Sequence, residues 1–541
     1  MSKIRYIDVF INLDEKEYEG FLYLGKRDEV FVDLKDCFDS NDNLSLVKCK
    51  TDGKIFFLYD CDLSWGRIYS KYIVDSFNQK TFSSFEFYLD GVSEWFESLD
   101  ESNVELFNQS VKIGGTEYNC TAVLKKKKFV ITVESINNQI ELESIAFITV
   151  QFARLFSFLC YNKVTCCGAS ILDNKNKYPV YSFLFDDSEY KQDCRYSFLS
   201  ARLIRSENLW PIILRNYFET NTKPFDDCLN NFWGQIRFKG YWGHEFLDLF
   251  ALLDRYTNIK NVGKEAKVFS VESVNSAIQR VNAFIASQER LNDEEKQILC
   301  ALPKKIKKLN KWNQGNSAKS RIHYLLSKDG FFNEDERALF TLIDANLKRL
   351  LDLRIKIAHG ECLDSQGGHV YNNFSRLIYQ LKILVAWIIY RELGIPSKII
   401  WLGTRDSRHK DVRNAKIDTT RLSVMIDDIP VFQVPKKTFE YFSKIRSGSC
   451  FIYNLKNKYL NVNDFLSRET DKKLHECRLK TIENAVSAVA PKYKNPVYLS
   501  RILIECEKDY KLVWGGVVIV NYECVPTALQ EKCKKWMRWQ P

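Results

Sequence analysis

The hydrophobic period of this chain changes near residue 240, and that change decides what each part can fold into. Upstream, apolar residues come in short runs. Val30-Phe31-Val32, Ile55-Phe56-Phe57-Leu58 and Phe85-Glu86-Phe87-Tyr88 are β-branched or aromatic and are punctuated by Asp, Asn and Gly, the pattern of short strands. Residues 118–124 and 129–133, joined by Lys125-Lys126-Lys127-Lys128, read as a hairpin with a solvated tip. A helix over 142–161 and strands around Val164 and Val180 complete a β-rich α+β region, residues 1–235, with no catalytic constellation of its own.

Downstream the period becomes helical. Phe246, Leu249, Phe250 and Leu253 share one face of a helix over 244–256, and Val274, Ala277, Ile278, Val281, Phe284 and Ile285 form a second stripe. Asn292 with Glu295 and Asn333 with Glu336 have capping-box spacing. The helix opened by Asn292 ends in a basic cluster, Lys304, Lys305, Lys307 and Lys308. After a loop at Gly367-Gly368, a long helix over 374–393 is stopped by Gly394-Ile395-Pro396. Residues 236–410 are therefore expected to form an antiparallel bundle of about four to five helices. Beyond, strand-like 424–429 and 513–520 flank a helical stretch at 481–489, which predicts a small α+β extension over 411–541. The fold class expected is multidomain α+β with an all-α centre, since 541 residues exceed one ordinary core.

Composition excludes several function classes. The sixteen cysteines contain no Cys-x-x-Cys pair, and Cys166 and Cys167 are adjacent, which fits neither a zinc ribbon nor a secreted disulfide framework. The expectation is a cytoplasmic protein with reduced cysteines and no cofactor or metal. Arg154 and Lys382 interrupt the most apolar windows, 145–160 and 377–390, so these read as buried helices and no membrane partner is expected. A net charge of +10 favours an anionic partner.

Within the helical part, Leu347, Leu350 and Leu351 define the buried face of an amphipathic helix ending at Gly360, with Arg354 and His359 near that end. Arginine is a permanent planar cation suited to phosphate, and histidine, with a pKa of about 6.5, exchanges protons at neutral pH. On an ideal helix the two lie roughly 140° apart, so they meet at one ligand only if the helix end loosens or a second copy completes the site. Lys348, Arg349 and Lys356 are candidate phosphate-positioning residues. Two other Arg–His pairs have similar spacing. Arg237 to His244 encloses Gly240, Trp242 and Gly243 and reads as loop, and Arg468 to His475 carries a charged insert and reads as a solvated face. The bland alternative for Arg354 and His359 is a surface arginine and a helix-terminal histidine.

Arg354-Ile-Lys-Ile-Ala-His-Gly360 resembles the arginine-to-histidine motif of HEPN ribonucleases. The surrounding helices are similar to the Apea-like HEPN group of bacterial anti-phage proteins, as is Asp90-Gly91-Val92-Ser93-Glu94-Trp95-Phe96 in the preceding domain. HEPN motifs often place Asn, Asp or His after the arginine, where this chain has Ile355. The resemblance implies a metal-independent endoribonuclease of abortive-infection defence that cuts host RNA, with tRNA among the candidates. It implies a composite Arg354/His359 site between two copies of the chain, a homodimer or larger homo-oligomer. It gives Asp254 the role of orienting a catalytic arginine or histidine. It makes residues 1–235 the sensing or regulatory domain, with a phage protein as candidate trigger. Two other readings stay open: a non-catalytic module that binds RNA or a nucleotide, and a scaffold that senses a phage protein.

Overall fold

The computed structural model describes residues 5–537 apart from 14–15, 25–29, 36–41, 52–53, 65–66, 78, 80, 97–102, 126–127, 137–138, 174–175, 183–193, 221–225, 238–240, 261, 263–270, 288–291, 304–316, 328–330, 361–366, 443–448, 477–481, 494–495 and 508. The basic cluster at Lys304–Lys308 and the tip lysines Lys126 and Lys127 lie outside the described residues. The protein is mixed α/β and divides into two compact units, Met1–Ile417 and Asp418–Pro541.

The first unit starts with strands β1 (Arg5–Leu13), β2 (Lys16–Leu24), β3 (Val30–Leu34), β4 (Asp42–Thr51), β5 (Lys54–Ser64) and β6 (Arg67–Asp75). After the short β7 (Thr81–Phe82) come β8 (Ser84–Asp90), β9 (Asn103–Ile113), β10 (Thr116–Lys125) and β11 (Lys128–Ser135). The last are β12 (Ile140–Glu141), which pairs with β7, then β13 (Thr165–Asp173) and β14 (Asn176–Tyr181). Twelve of them form one antiparallel sheet in the order β3-β2-β1-β4-β5-β6-β14-β13-β8-β11-β10-β9. Strand β3 also pairs with the start of β6, Phe31 opposite Tyr69, and so closes the first six strands into a barrel. Alternate residues fill its interior, among them Val9, Ile11, Leu22, Val32, Leu58 and Ile73, all at most 1% exposed. The expected lysine hairpin is β10–β11, in register from Tyr118 opposite Ser135 to Lys125 opposite Lys128.

Helix α1 (Val92–Trp95) is short. Helix α2 (Leu142–Cys160) covers the open half of the sheet, with Phe152 against Phe87 at 5.7 Å between ring centroids. Among the described helices α2 alone is long and apolar enough to cross a membrane, and 72% of its apolar window is buried inside the protein. Its one interrupting charge is satisfied internally. Arg154, 3% exposed, donates to the Tyr217 hydroxyl, to Gln151 at 2.8 Å, to Asn230, and to Asp226 at 2.7 Å. A buried guanidinium is tolerated only when its donors are used in this way.

From Cys194 to Asp427 every described element is helical. The helices are α3 (Ala201–Ser206), α4 (Trp210–Arg215), α5 (Asp226–Arg237), α6 (Trp242–Ile259), α7 (Val271–Ser287), α8 (Asp293–Cys300) and α9 (Ala318–Ser327). They continue with α10 (Glu334–Leu339), α11 (Thr341–Ala345), α12 (Leu347–Ala358), α13 (Gly367–Glu392), α14 (Ser397–Asp406), α15 (Lys410–Ala415) and α16 (Thr419–Asp427). Both expected capping boxes are formed, at Asn292–Glu295 and Asn333–Glu336. Helix α13 is the long helix expected there. Its Tyr390 hydroxyl donates to the Phe158 carbonyl of α2 at 2.9 Å, tying the helices to the β-rich part. Gly394 follows α13 with φ +79°, the left-handed conformation that ends a helix at least cost for glycine.

Two local expectations are corrected, and one segment is more broken than its cap alone indicates. Gly367 and Gly368 open α13 instead of forming a loop. The stretch from Asn333 to Arg354 is three short helices, with breaks at Phe340 and Asn346. Residues 419–427 are helix, not strand, because the Asp418 carboxylate accepts from the Thr420 and Arg421 amides and caps it; a short apolar run alone does not separate the two.

In the second unit α16 leads to β15 (Val431–Gln433), β16 (Ser449–Asn454), β17 (Tyr459–Val462), β18 (Val497–Cys506) and β19 (Asp509–Ile519), a mixed sheet in the order β15-β18-β19-β16-β17. Helices α17 (Lys436–Phe442), α18 (Asp464–Glu476), α19 (Ile482–Val489) and α20 (Thr527–Lys534) complete it.

Candidate active site

Helix α12 forms because Leu347, Leu350 and Leu353 recur on one face, all at most 5% exposed, whereas Leu351, expected on that face, is only half-buried. It stops at His359, whose amide bonds the Ile355 carbonyl at 3.0 Å, and at Gly360, φ +68°, whose amide bonds the Ile357 carbonyl at 3.0 Å. Arg354 is half-buried and His359 exposed, and among the described residues neither side chain has a hydrogen-bond or ion-pair partner. Ile355 between them is 52% exposed. Both side chains stand at one helix end within reach of solvent.

Lys348 and Lys356 are exposed on the same helix. Arg349 is already engaged: it donates to the Asn346 side chain at 3.1 Å and lies over the Phe374 ring at 5.4 Å. Asp254 is not brought to the pair. Its carboxylate is bonded to Arg321, which also reaches the Thr257 hydroxyl at 3.4 Å. Among the described residues Asp254 is thus paired with an arginine of α9.

The first turn of α6 does abut the last turn of α12. A Cβ built on Gly243 would stand 3.4 Å from the Ile357 side chain and 2.8 Å from the Tyr241 ring, so hydrogen is what fits that contact best. This also corrects the reading of Arg237 to His244 as loop: Arg237 ends α5, its guanidinium 4.6 Å from the Trp233 ring centroid, and His244 is exposed in the first turn of α6. Asp254 lies eleven residues further along α6 than Gly243, about 16 Å at the rise of an ideal helix. Arg468 and His475 fall on α18, with Arg468 exposed and its Nε donating to the Asp464 carbonyl at 3.4 Å.

One pairing had no sequence signal. His323 on α9 and Asp344 on α11 share a hydrogen bond of 2.6 Å, Nδ1 to Oδ1, at the surface. Twenty-one residues separate them, and only the packing of α9 on the broken helix segment joins them. Among the described residues no group of three or more His, Cys, Asp or Glu side chains is placed to hold a metal ion. No protein-family model matches the chain, and no curated protein matches it.

Proposed function

We propose that this chain is a HEPN-type, metal-independent endoribonuclease of anti-phage defence. It cleaves host RNA, with tRNA a candidate substrate, through Arg354 and His359 from two copies of the chain. The observation that carries this reading is that Arg354 and His359, at the end of α12, have no hydrogen-bond or ion-pair partner among the described residues. One His359 takes the proton of a ribose 2′-hydroxyl, and the 2′-oxygen attacks phosphorus. The bond to the 5′-oxygen breaks, and that oxygen receives a proton from the partner copy's equivalent histidine. Arg354 holds the phosphate and stabilises the charge that develops on it. The products are a 2′,3′-cyclic phosphate and a 5′-hydroxyl. Apolar side chains left exposed on the helical part, Phe284 at 55%, Ile298 at 65% and Ile355 at 52%, supply surface for a second copy.

A non-catalytic RNA-binding module is the second reading, and Ile355 favours it: an apolar, solvent-facing side chain stands where a polar contact is expected. Incubating purified protein with total RNA and with tRNA in EDTA, followed by end-group analysis, separates the two. Fragments ending in cyclic phosphate support the nuclease. Retention of RNA without cleavage supports the module, and cleavage that requires added magnesium or zinc contradicts the mechanism.

A further inference from the structure

A cavity of about 720 Å³ opens where α2 ends and α5, α6, α13 and α15 converge, all within the first compact unit. Its floor is charged. Lys382, 12% exposed, is bonded to Glu245 at 2.5 Å and to Asp411 at 3.4 Å. Two carboxylates around one ammonium leave the floor with an excess of acceptors. One wall is aromatic, with Trp242 packed on Tyr371 at 5.8 Å and the Tyr371 and Tyr379 hydroxyls 3.2 Å apart.

Three further side chains present polar groups to the cavity. Tyr161, only 5% exposed, lines it, yet among the described residues its hydroxyl has no hydrogen-bond partner. Burial, with Asp411 and Glu245 nearby, raises the phenol pKa well above its usual value, so the group is a neutral donor. At the rim, Arg408 and Lys410 are exposed cations that also have no hydrogen-bond or ion-pair partner among the described residues.

The size falls within the range of small-molecule sites, roughly 300–1,000 Å³. A purely apolar ligand would leave the charged floor unsolvated. A simple anion would leave the aromatic wall unused, and a cation would meet Arg408 and Lys410 at the entrance. What fits all three zones is a flat ring with N–H or hydroxyl donors at one end and an anionic group at the other. Aromatic side chains stack on any base, carboxylates accept from amino groups and ribose hydroxyls, and arginine with lysine holds phosphate.

We propose that this cavity binds a nucleoside phosphate, with the base against Trp242 and Tyr371, its donors or the ribose toward Glu245 and Asp411, and the phosphate at Arg408 and Lys410. The assignment does not depend on the ribonuclease reading, because none of these residues belongs to the Arg354–His359 pair.

Calorimetric titration of the purified full chain with ATP, adenosine and tripolyphosphate in separate runs tests it. One saturable ATP site per chain is expected. Adenosine and tripolyphosphate should each bind at least about tenfold more weakly, as should ATP to the Arg408→Ala/Lys410→Ala double variant. Both substituted residues are exposed, so loss of binding with an unchanged circular dichroism spectrum reports the site and not the fold. Absence of saturable binding at millimolar ATP overturns the proposal, as does ATP affinity untouched by the double variant. Tripolyphosphate binding as tight as ATP makes this an anion site without base recognition and also overturns it. A short oligoribonucleotide that displaces ATP and binds these residues more tightly assigns the cavity to an RNA path instead. His359→Ala should bind ATP like wild type whether or not RNA is cut, which keeps failure here distinct from failure of the nuclease reading.

Discussion

Arg354 and His359 can be removed with little structural cost, because among the described residues neither side chain has a hydrogen-bond or ion-pair partner to lose. Arg354→Ala and His359→Ala should each lower RNA cleavage by about 10²–10⁴, the usual worth of a positioned acid–base group, with melting temperatures near wild type. His244→Ala is the control that matters, since His244 sits in the helix turn touching the end of α12. Equal loss there, with His359→Ala active, would mean the wrong histidine was chosen. Glu336 behaves in the opposite way. It is 1% exposed, completes the Asn333 capping box, and accepts from Arg391 and from the Trp401 indole at 2.8 Å. Glu336→Ala should destabilise by about 3–5 kcal/mol, because a half-buried arginine loses its counter-charge; a melting temperature within a degree of wild type would refute this. The sequence announced Glu336 as a cap and Arg354 and His359 as a pair, because those signals are local. It could not announce that Asp254 belongs to Arg321, that Glu336 also holds Arg391, or that His323 meets Asp344. Those partners lie 67, 55 and 21 residues apart.

Elements with strong period and clear stops were legible. Helix α6, the α13 stop at Gly394 and the β10–β11 hairpin follow from patterns a few residues long. Gly367-Gly368 misled because glycine signals a turn by entropy alone, yet the start of a helix tolerates it. Residues 424–429 misled because their capping residue, Asp418, lies outside the apolar run. Immediately after α16, Asp428 adopts φ +55° and meets Lys535 at 2.5 Å and Lys532 at 3.6 Å. The hydrogen bond from Lys535 holds the Asp428 carboxyl below its usual value. Its stabilising effect is therefore present above the unfolded pKa of about 3.9 and lost as pH falls through the lower folded value. Asp428→Asn, which suits the left-handed backbone equally, should melt below wild type at neutral pH and converge with it in acid. Parallel curves at every pH would assign the carboxylate no part in acid unfolding.

For the whole molecule, the proposed composite site draws one Arg354–His359 pair from each of two chains. Mixing wild type with excess His359→Ala, under conditions of subunit exchange, should reduce activity per wild-type chain well below that of wild type alone. Constant activity at every ratio, with exchange confirmed, would show that each protomer works unaided. The passage from strands to helices was visible in the sequence as a change of period, but that change lies near residue 240, whereas the run of described helical elements begins at Cys194. Closure of the barrel was not visible, because β3 and β6 pair across more than thirty residues by Phe31 opposite Tyr69 without any local mark. That closure limits modularity. Strand β6 spends one edge twice, on β3 over Arg67–Tyr69 and on β14 over Ile73 and Val74. The barrel is thus not a bead on a string that recombination or a shortened gene can drop. A chain started after residue 80 would uncover the β14 edge at Val180 and Tyr181, an unpaired strand of the kind that recruits other chains. Such a truncation should collect in the insoluble fraction on expression, and a soluble, monodisperse product would show that the rest of the sheet seals itself.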